Sequence, residues 1–343
     1  MAKKGGYKVI VVGIGLVGSK MVECLLEKGR KLPIKDIKVL ATRERDEVVA
    51  GKKFRVKVAD PKEFDGYDLA FFAGTEGASG ASKVFGWEAV KRGCVVIDNG
   101  KDFRMDPKVP LVVPEVNPEA LRGHNGIIAN PNCSTIQMVV ALAPIHRAAK
   151  IKRIVVSTYQ AVSGTGSKAT AELAAQIKAV AAGKKPVAEV YPVQIIGNVI
   201  PQISKLCDEM PGYYEEEVKM QRETRKILGD KSIKVSATCV RVPVFNSHSE
   251  TVNVQTASKL TVADVHKLLK KAPGVKLLDD PGAGVWPYPL MASGVDDVFV
   301  GRVREDMSAK NCIDLFCVAD NIRKGAASNA VQIAEAMMKM KLI

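Results

Sequence analysis

The sequence predicts a two-domain α/β protein: a Rossmann-type doubly wound parallel sheet in its N-terminal part, then an α+β second part. Three observations predict it. The chain has 343 residues, too many for one ordinary core and suited to two of moderate size. Its first third alternates short apolar, β-branched runs with helical stretches. Gly13-Ile-Gly15-Leu-Val-Gly18 lies between the first apolar run and the first helical one.

Val9–Val12 reads as a strand and Ser19–Lys28 as an amphipathic helix. Ile37–Ala41, Leu69–Ala73 and Val95–Asp98 read as further strands. Their near-continuous apolar character means burial on both faces, hence a parallel sheet covered by helices. After residue 132 the strands lengthen: Ile154–Gln160, Val235–Val242 and Thr251–Thr256. Because Pro243 to Glu250 joins the last two, an antiparallel pairing between them is expected. Ser167–Ala182, Glu215–Leu228 and Ala326–Met340 read as helices, and no repeat or long linker interrupts them.

Composition excludes several classes. At 47% hydrophobic and 26% charged, the chain has the proportions of a soluble globular protein. No apolar stretch approaches the ~20 residues of a membrane span. The apolar run after the basic start is broken by glycines at 13, 15 and 18, so it reads as a buried strand rather than a leader, and the protein as cytoplasmic. Seven cysteines without a C-x-x-C pair argue against disulfides and against a metal site. The net charge of +14 comes from Lys and Arg that never run beyond two in a row, and aromatic residues are only 5%. That pattern reads as a dispersed solvated surface, so neither nucleic acid nor membrane is expected as a partner.

G-x-G-x-x-G between a strand and a helix allows a tight turn and a close approach of main chain to a pyrophosphate at the helix N-terminus. Gly13, Gly15, Leu16, Val17 and Gly18 are therefore candidate dinucleotide contacts. NAD-selective sites carry an acidic residue at the end of the second strand. Here Ala41-Thr42-Arg43-Glu44-Arg45 stands there. Arg43 and Arg45 suit a 2′-phosphate, so NADP is the expected cofactor, while Glu44 leaves NAD open.

Asn130-Pro-Asn-Cys-Ser-Thr135 precedes the apolar helical run Ile136 to Leu142. A thiol at residue 133 would face unsatisfied N–H groups and the positive end of the helix dipole, both of which favour thiolate. A thiolate attacks a carbonyl well and leaves well, as covalent acyl transfer requires. Taken alone, a cysteine at a helix start is more often inert packing.

The segment Pro131-Asn-Cys-Ser-Thr135 resembles the active-site signature of bacterial aspartate-semialdehyde dehydrogenases. Further blocks match in order: Ser163-Gly-Thr-Gly166, Asn198-Val-Ile-Pro-Gln202, Glu223-Thr-Arg-Lys-Ile227, Val235 to Pro243 with His248-Ser-Glu250, and Asp320 to Ala327. The resemblance spans nearly the whole chain. It implies a dinucleotide-binding domain at residues 1–132, completed by a C-terminal helix at 322–343, and a catalytic and dimerisation domain at 133–321. It implies NADPH-dependent reduction of L-aspartyl 4-phosphate to the 4-semialdehyde, with loss of phosphate, in the diaminopimelate route to lysine, threonine and methionine. A homodimer or homotetramer is implied as well.

Roles transfer residue by residue. Cys133 is implied as nucleophile, Gln160 as the group orienting the thioacyl or a water, and His248 as acid/base. Arg241 is implied for the substrate carboxylate and Glu216 for its ammonium. Arg104, Lys219 and Asn132 are implied for phosphate, and Thr42, Gly74, Ser163, Gly164 and Asn321 complete the implied cofactor set. Without the resemblance, Glu216 and Lys219 read as a surface ion pair and Gln160 as a strand cap. Three departures stand out: a glycine loop one residue shorter than usual, an apparent insertion at 75–80, and Gly100-Lys-Asp102 before Phe103-Arg104. The rival reading is an N-acetyl-glutamyl-phosphate reductase, which would show Gly before the cysteine and Tyr after it. From other classes, an inactive paralogue would have lost Cys133, Gln160 or His248, and a nucleic-acid binder would carry a continuous basic face.

Overall fold

Six mostly apolar residues, Tyr7–Val12, form β1, whose Val9, Ile10 and Val11 are fully buried. The computed structural model describes residues 5–74, 77 and 79–343. The chain divides into two compact units, one made of residues up to Pro131 together with Ala326–Ile343, the other of Asn132–Gly325.

In the first unit β1 is followed by α1 (Leu16–Leu26), β2 (Ile34–Ala41), β3 (Arg45–Val49), β4 (Lys52–Val58) and β5 (Leu69–Phe72). Then come α2 (Ala81–Lys91), β6 (Val95–Asp98) and β7 (Ile127–Ala129). The sheet order is β3-β4-β2-β1-β5-β6-β7, parallel throughout except for the β3–β4 pair. Strand order reverses at β1, with β2 on one side and β5 on the other. In such sheets the ligand crevice opens at the carboxyl ends of the strands beside that reversal. The glycine loop and Gly74 stand at those ends of β1 and β5. The C-terminal helix (Ser328–Lys339) covers this sheet, its Val331, Ile333, Ala334 and Met337 sharing a core with Met21, Val22 and Leu25 of α1. The doubly wound expectation is borne out. The β3–β4 hairpin was not expected; it turns at Ala50 and Gly51, both at positive φ, as a two-residue hairpin requires. The expected insertion at 75–80 falls partly outside the described residues.

The second unit opens with α3 (Cys133–Ala149) and β8 (Ile151–Gln160), then α4 (Ser167–Ala181), α5 (Glu215–Ile227), β9 (Lys234–Arg241) and β10 (His248–Thr256). It ends with α6 (Val262–Lys271), β11 (Val275–Leu277), α7 (Pro289–Ala292), β12 (Val298–Glu305) and β13 (Cys312–Ala319). The mixed sheet runs β11-β12-β13-β10-β8-β9, and α3 lies against β8, β10, β12 and β13. The expected pairing of residues 235–242 with 251–256 is wrong. β8 lies between them, parallel to β9 and antiparallel to β10. The reason lies in the connection, whose main chain crosses the end of β8: Val242 N–H donates to Gln160, and Val162 and Ser163 N–H donate to Val244 and Phe245. That crossing brings Gln160, Arg241 and His248 to one end of the sheet. Among the described residues no helix is long and apolar enough to cross a membrane.

Candidate active site

Asn132 is the N-cap of α3, and its Oδ1 accepts the N–H groups of Ser134 and Thr135, both at 3.1 Å. Side-chain capping satisfies two of the four orphan donors of a helix start. Two carboxylates of α5 clamp this residue. Glu223 Oε2 accepts the Asn132 main-chain N–H at 2.6 Å, and Glu216 Oε1 accepts its Nδ2 at 2.8 Å. Cys133 is the first helical residue and is partly exposed, whereas Cys24, Cys94, Cys239, Cys312 and Cys317 are buried. Burial pushes the Cys94 thiol up to about 12, the behaviour of an inert packed cysteine. Gly325 is pressed against Cys133: a Cβ there would lie 2.8 Å from Cys133 Cβ.

Glu216 is only 4% exposed, so its contact with Lys219 is not a surface pair. Its Oε2 accepts from Lys219 Nζ at 3.2 Å, and its Oε1 accepts from Gln160 Nε2 at 3.3 Å as well as from Asn132. Burial alone would raise its carboxyl. Lys219 and the bonds from Asn132 and Gln160 outweigh burial and hold the group ionised, at about 2.

Arg241 and His248 are tied to the main chain of one residue, Ala161, through its two flanking peptide units. Arg241 Nη1 donates to Ala161 O at 2.7 Å, and Ala161 N–H donates to His248 Nδ1 at 3.0 Å. A ring nitrogen that accepts carries no proton, so the neutral imidazole bears its proton on Nε2. Nε2 is buried with no hydrogen-bond partner. Burial and then the neighbouring Arg241 depress this histidine to about 3, against the pull of Glu216, so it is neutral at physiological pH. Arg241 is 5% exposed, has no ion pair among the described residues, and leaves Nε without a partner. A buried guanidinium without a counter-ion is arranged for an anion. Gly164 makes room here, since a Cβ on it would lie 2.8 Å from Arg241 Nη1 and 3.2 Å from His248 Nε2. Beside it Ser163 Oγ and Asn321 Oδ1 lie 3.1 Å apart, and Asn321 Oδ1 also accepts the N–H of Ser247.

The first unit holds a cavity of about 600 Å³ lined by Val12 to Gly15, Ala41, Thr42, Arg43, Arg45, Ala59, Ala73, Gly74, Ala81 and Phe85. Gly13 has φ +93°, and a Cβ on it would meet Ala73 O at 2.7 Å; one on Gly18 would meet Gly13 O at 1.9 Å. The loop is therefore possible only with glycine. α1 starts at Leu16 with no side-chain cap, leaving the first N–H groups, including those of Leu16, Val17 and Gly18, for an anion. At the far end, Glu44 is held by Arg55 Nη2 at 2.7 Å and is absent from the lining, while Arg43 and Arg45 are present. These residues fit a dinucleotide with an anionic group on its ribose.

The structure thus gathers Asn132, Cys133, Gln160, Ser163, Gly164, Glu216, Lys219, Arg241, His248 and Asn321 within the second unit, and the glycine loop with Thr42, Arg43, Arg45 and Gly74 within the first. Arg104 belongs to the first unit, where it is buried and its Nη2 donates to Asn99 O. The sequence reading did not single out Glu223, Ala161 or Gly325 as site residues. Glu223 and Gly325 lie inside blocks quoted for the resemblance, the one signal that pointed to them.

Two family models match the chain. One described as semialdehyde dehydrogenase, NAD binding domain, covers residues 8–124, and one described as semialdehyde dehydrogenase, dimerisation domain, covers 142–324. The aspartate-semialdehyde dehydrogenase of Aquifex aeolicus is 49% identical over 98% of this chain and 100% of its own length. The crystal structure of aspartate-semialdehyde dehydrogenase II from Vibrio cholerae, complexed with ASA, superimposes with a TM-score of 0.90 at 42% identity, covering 97% of this chain and 98% of that one. The enzyme from Candida albicans, solved with NADP, superimposes with a TM-score of 0.74 at 25% identity, covering 98% and 100%.

Proposed function

The chain belongs to the aspartate-semialdehyde dehydrogenase family, and from that premise we propose how its residues carry out the NADPH-dependent reductive dephosphorylation of L-aspartyl 4-phosphate to L-aspartate 4-semialdehyde. The step serves diaminopimelate, lysine, threonine and methionine biosynthesis. One observation carries the residue assignment: Cys133 opens α3 on an asparagine cap clamped by Glu216 and Glu223.

Arg241 binds the substrate α-carboxylate through its uncommitted guanidinium N–H groups. Glu216, already ionised, takes the ammonium. Lys219 and Asn132 receive the phosphate; Asn132 has only part of its amide to give, since Oδ1 caps α3 and Nδ2 reaches Glu216. The Cys133 thiolate attacks the acyl carbon, the C–O bond to phosphate breaks, and a thioester remains. Gln160, fixed by Glu216, orients the acyl oxygen. The glycine loop, Gly74 and Arg43/Arg45 would hold NADPH, which when bound would supply the hydride that reduces this carbon. His248 Nε2–H then donates a hydrogen bond to the alkoxide on the Cys133 adduct; as that alkoxide closes to the aldehyde, the C–S bond breaks and the Cys133 thiolate is restored.

The assembly is a homodimer or homotetramer built through the second unit, and the protein acts in the cytoplasm. Cys133→Ala tests the assignment. Phosphate-dependent reduction of NADP with aspartate semialdehyde should vanish while NADPH still binds; retained turnover would end the covalent scheme. Running N-acetylglutamate semialdehyde alongside separates the rival substrate, which has no ammonium for Glu216.

A further inference from the structure

Two residues beyond His248 on β10, and therefore on the same face of the sheet, lies Glu250, whose side chain is fully buried. Its cross-strand neighbours are Cys317 on β13 and Thr158 on β8, and Thr158 is in turn opposite Cys239 on β9. The row across the sheet therefore reads thiol, carboxyl, hydroxyl, thiol. From α3 itself comes Gln137, one helical turn after Cys133 and on its face, with its amide beside the Glu250 carboxyl and the Cys317 thiol. Among the described residues the only hydrogen bond of good geometry to this carboxyl is from Cys317 Sγ to Oε2, at 3.4 Å. Glu250 Oε1 and both polar atoms of Gln137 are buried without partners.

We propose that Glu250 is a positioning residue of this reaction: an uncharged carboxylic acid that donates its proton to Gln137 and so braces the underside of the helix bearing Cys133. The argument is one of unmatched charge. Among the described residues no cation pairs with Glu250, and an isolated buried carboxylate takes up a proton rather than bear the cost of ionisation. The titratable groups facing it are Cys317 from β13, Cys239 from β9 and, more distantly, Glu216 from α5; none is cationic, and β8 and α3 offer only Thr158 and Gln137. Burial, with the Glu216 charge adding to it, raises Glu250 to about 8. A neutral acid has an O–H to give, and the unpartnered Gln137 Oε1 can take it. Ionised, the same group would lose that donor and place a negative charge behind the thiolate that the helix start favours.

This inference rests on Cys133 as the acyl carrier, which Cys133→Ala tests independently, so the two readings fail separately. The experiment compares Glu250→Gln with the wild type across pH. Glutamine keeps the shape and a donor but cannot ionise, so neutral-pH kcat should stay within about threefold. The alkaline fall of wild-type kcat above about pH 8 should be absent from the variant. An unchanged alkaline limb, or a folded variant that is inactive at neutral pH, overturns the proposal. If Glu250→Gln does not fold, wild-type enzyme labelled with carboxyl-13C glutamate decides the matter. One carboxyl resonance should titrate above neutral pH, and the absence of any such resonance overturns the proposal equally.

Discussion

Two helix starts, one in each unit, use the same physical device in opposite ways. α1 begins at a glycine without a side-chain cap, while α3 begins at an asparagine that satisfies two N–H groups itself and is gripped by two carboxylates. Both tips carry the partial positive charge of a helix dipole. The first is left open, so a ligand must complete it. The second is closed, so its field acts on the chain's own sulfur. An open tip suits a molecule that comes and goes; a closed one suits a nucleophile that must hold its place.

The largest test of this contrast is at the closed tip. Gly325→Ala would bring a Cβ to 2.8 Å from that of Cys133. A displaced nucleophile of this order costs about 100-fold in kcat, while NADPH affinity should stay unchanged. Equal losses in both would show that the two tips are not independent. Next is the open tip: Gly18→Ala puts a Cβ 1.9 Å from Gly13 O, and should weaken NADPH binding by about tenfold or more, ~1.4 kcal/mol, read by fluorescence titration. Asn132→Ala removes the α3 cap and should lower stability by about 1 kcal/mol, measured by denaturant unfolding; no change would mean that water caps α3 as well as Asn132 does. The smallest effect is one of pH. Glu216 is depressed in the folded state, to about 2, from an ordinary 4.5. The stability it contributes is therefore present above about pH 4.5 and lost as pH falls toward 2. Glu216→Gln should flatten the acid limb of the melting temperature in that window. Glu250 runs the other way: raised to about 8, it contributes stability that fades as pH rises from 4.5 to 8.

Local pattern carried much of this. β1, the glycine loop and the helix after Cys133 were legible because each announces itself within a dozen residues. The β3–β4 hairpin was not, since Lys52–Val58 buries only Val56 and reads as solvated chain. The partner of β9 was misread because adjacency in sequence suggested β10, whereas β8, whose paired residues lie 81 positions earlier in the chain (241 − 160 = 81), fills the place between. Within the site, local pattern marked Cys133 as a thiol at a helix start, while its role and the choice of Arg241 and His248 came from the resemblance. Glu223 acts on a main-chain N–H and Ala161 through its own peptide, and such contacts leave no trace in residue type. Glu250, in a strand of alternating polar residues, looks solvent-facing until β13 and α3 enclose it.

The main chain of Ala161, which accepts from Arg241 and donates to His248, makes the carboxylate recognition and the hydrogen-bond donation proposed for these two residues parts of one rigid bracket. A substrate lacking the α-carboxylate would leave Arg241 without its anion and would not itself be held against the imidazole. Such truncated aldehydes should turn over slowly even at saturation, because discrimination is built into the catalytic step itself and not only into capture.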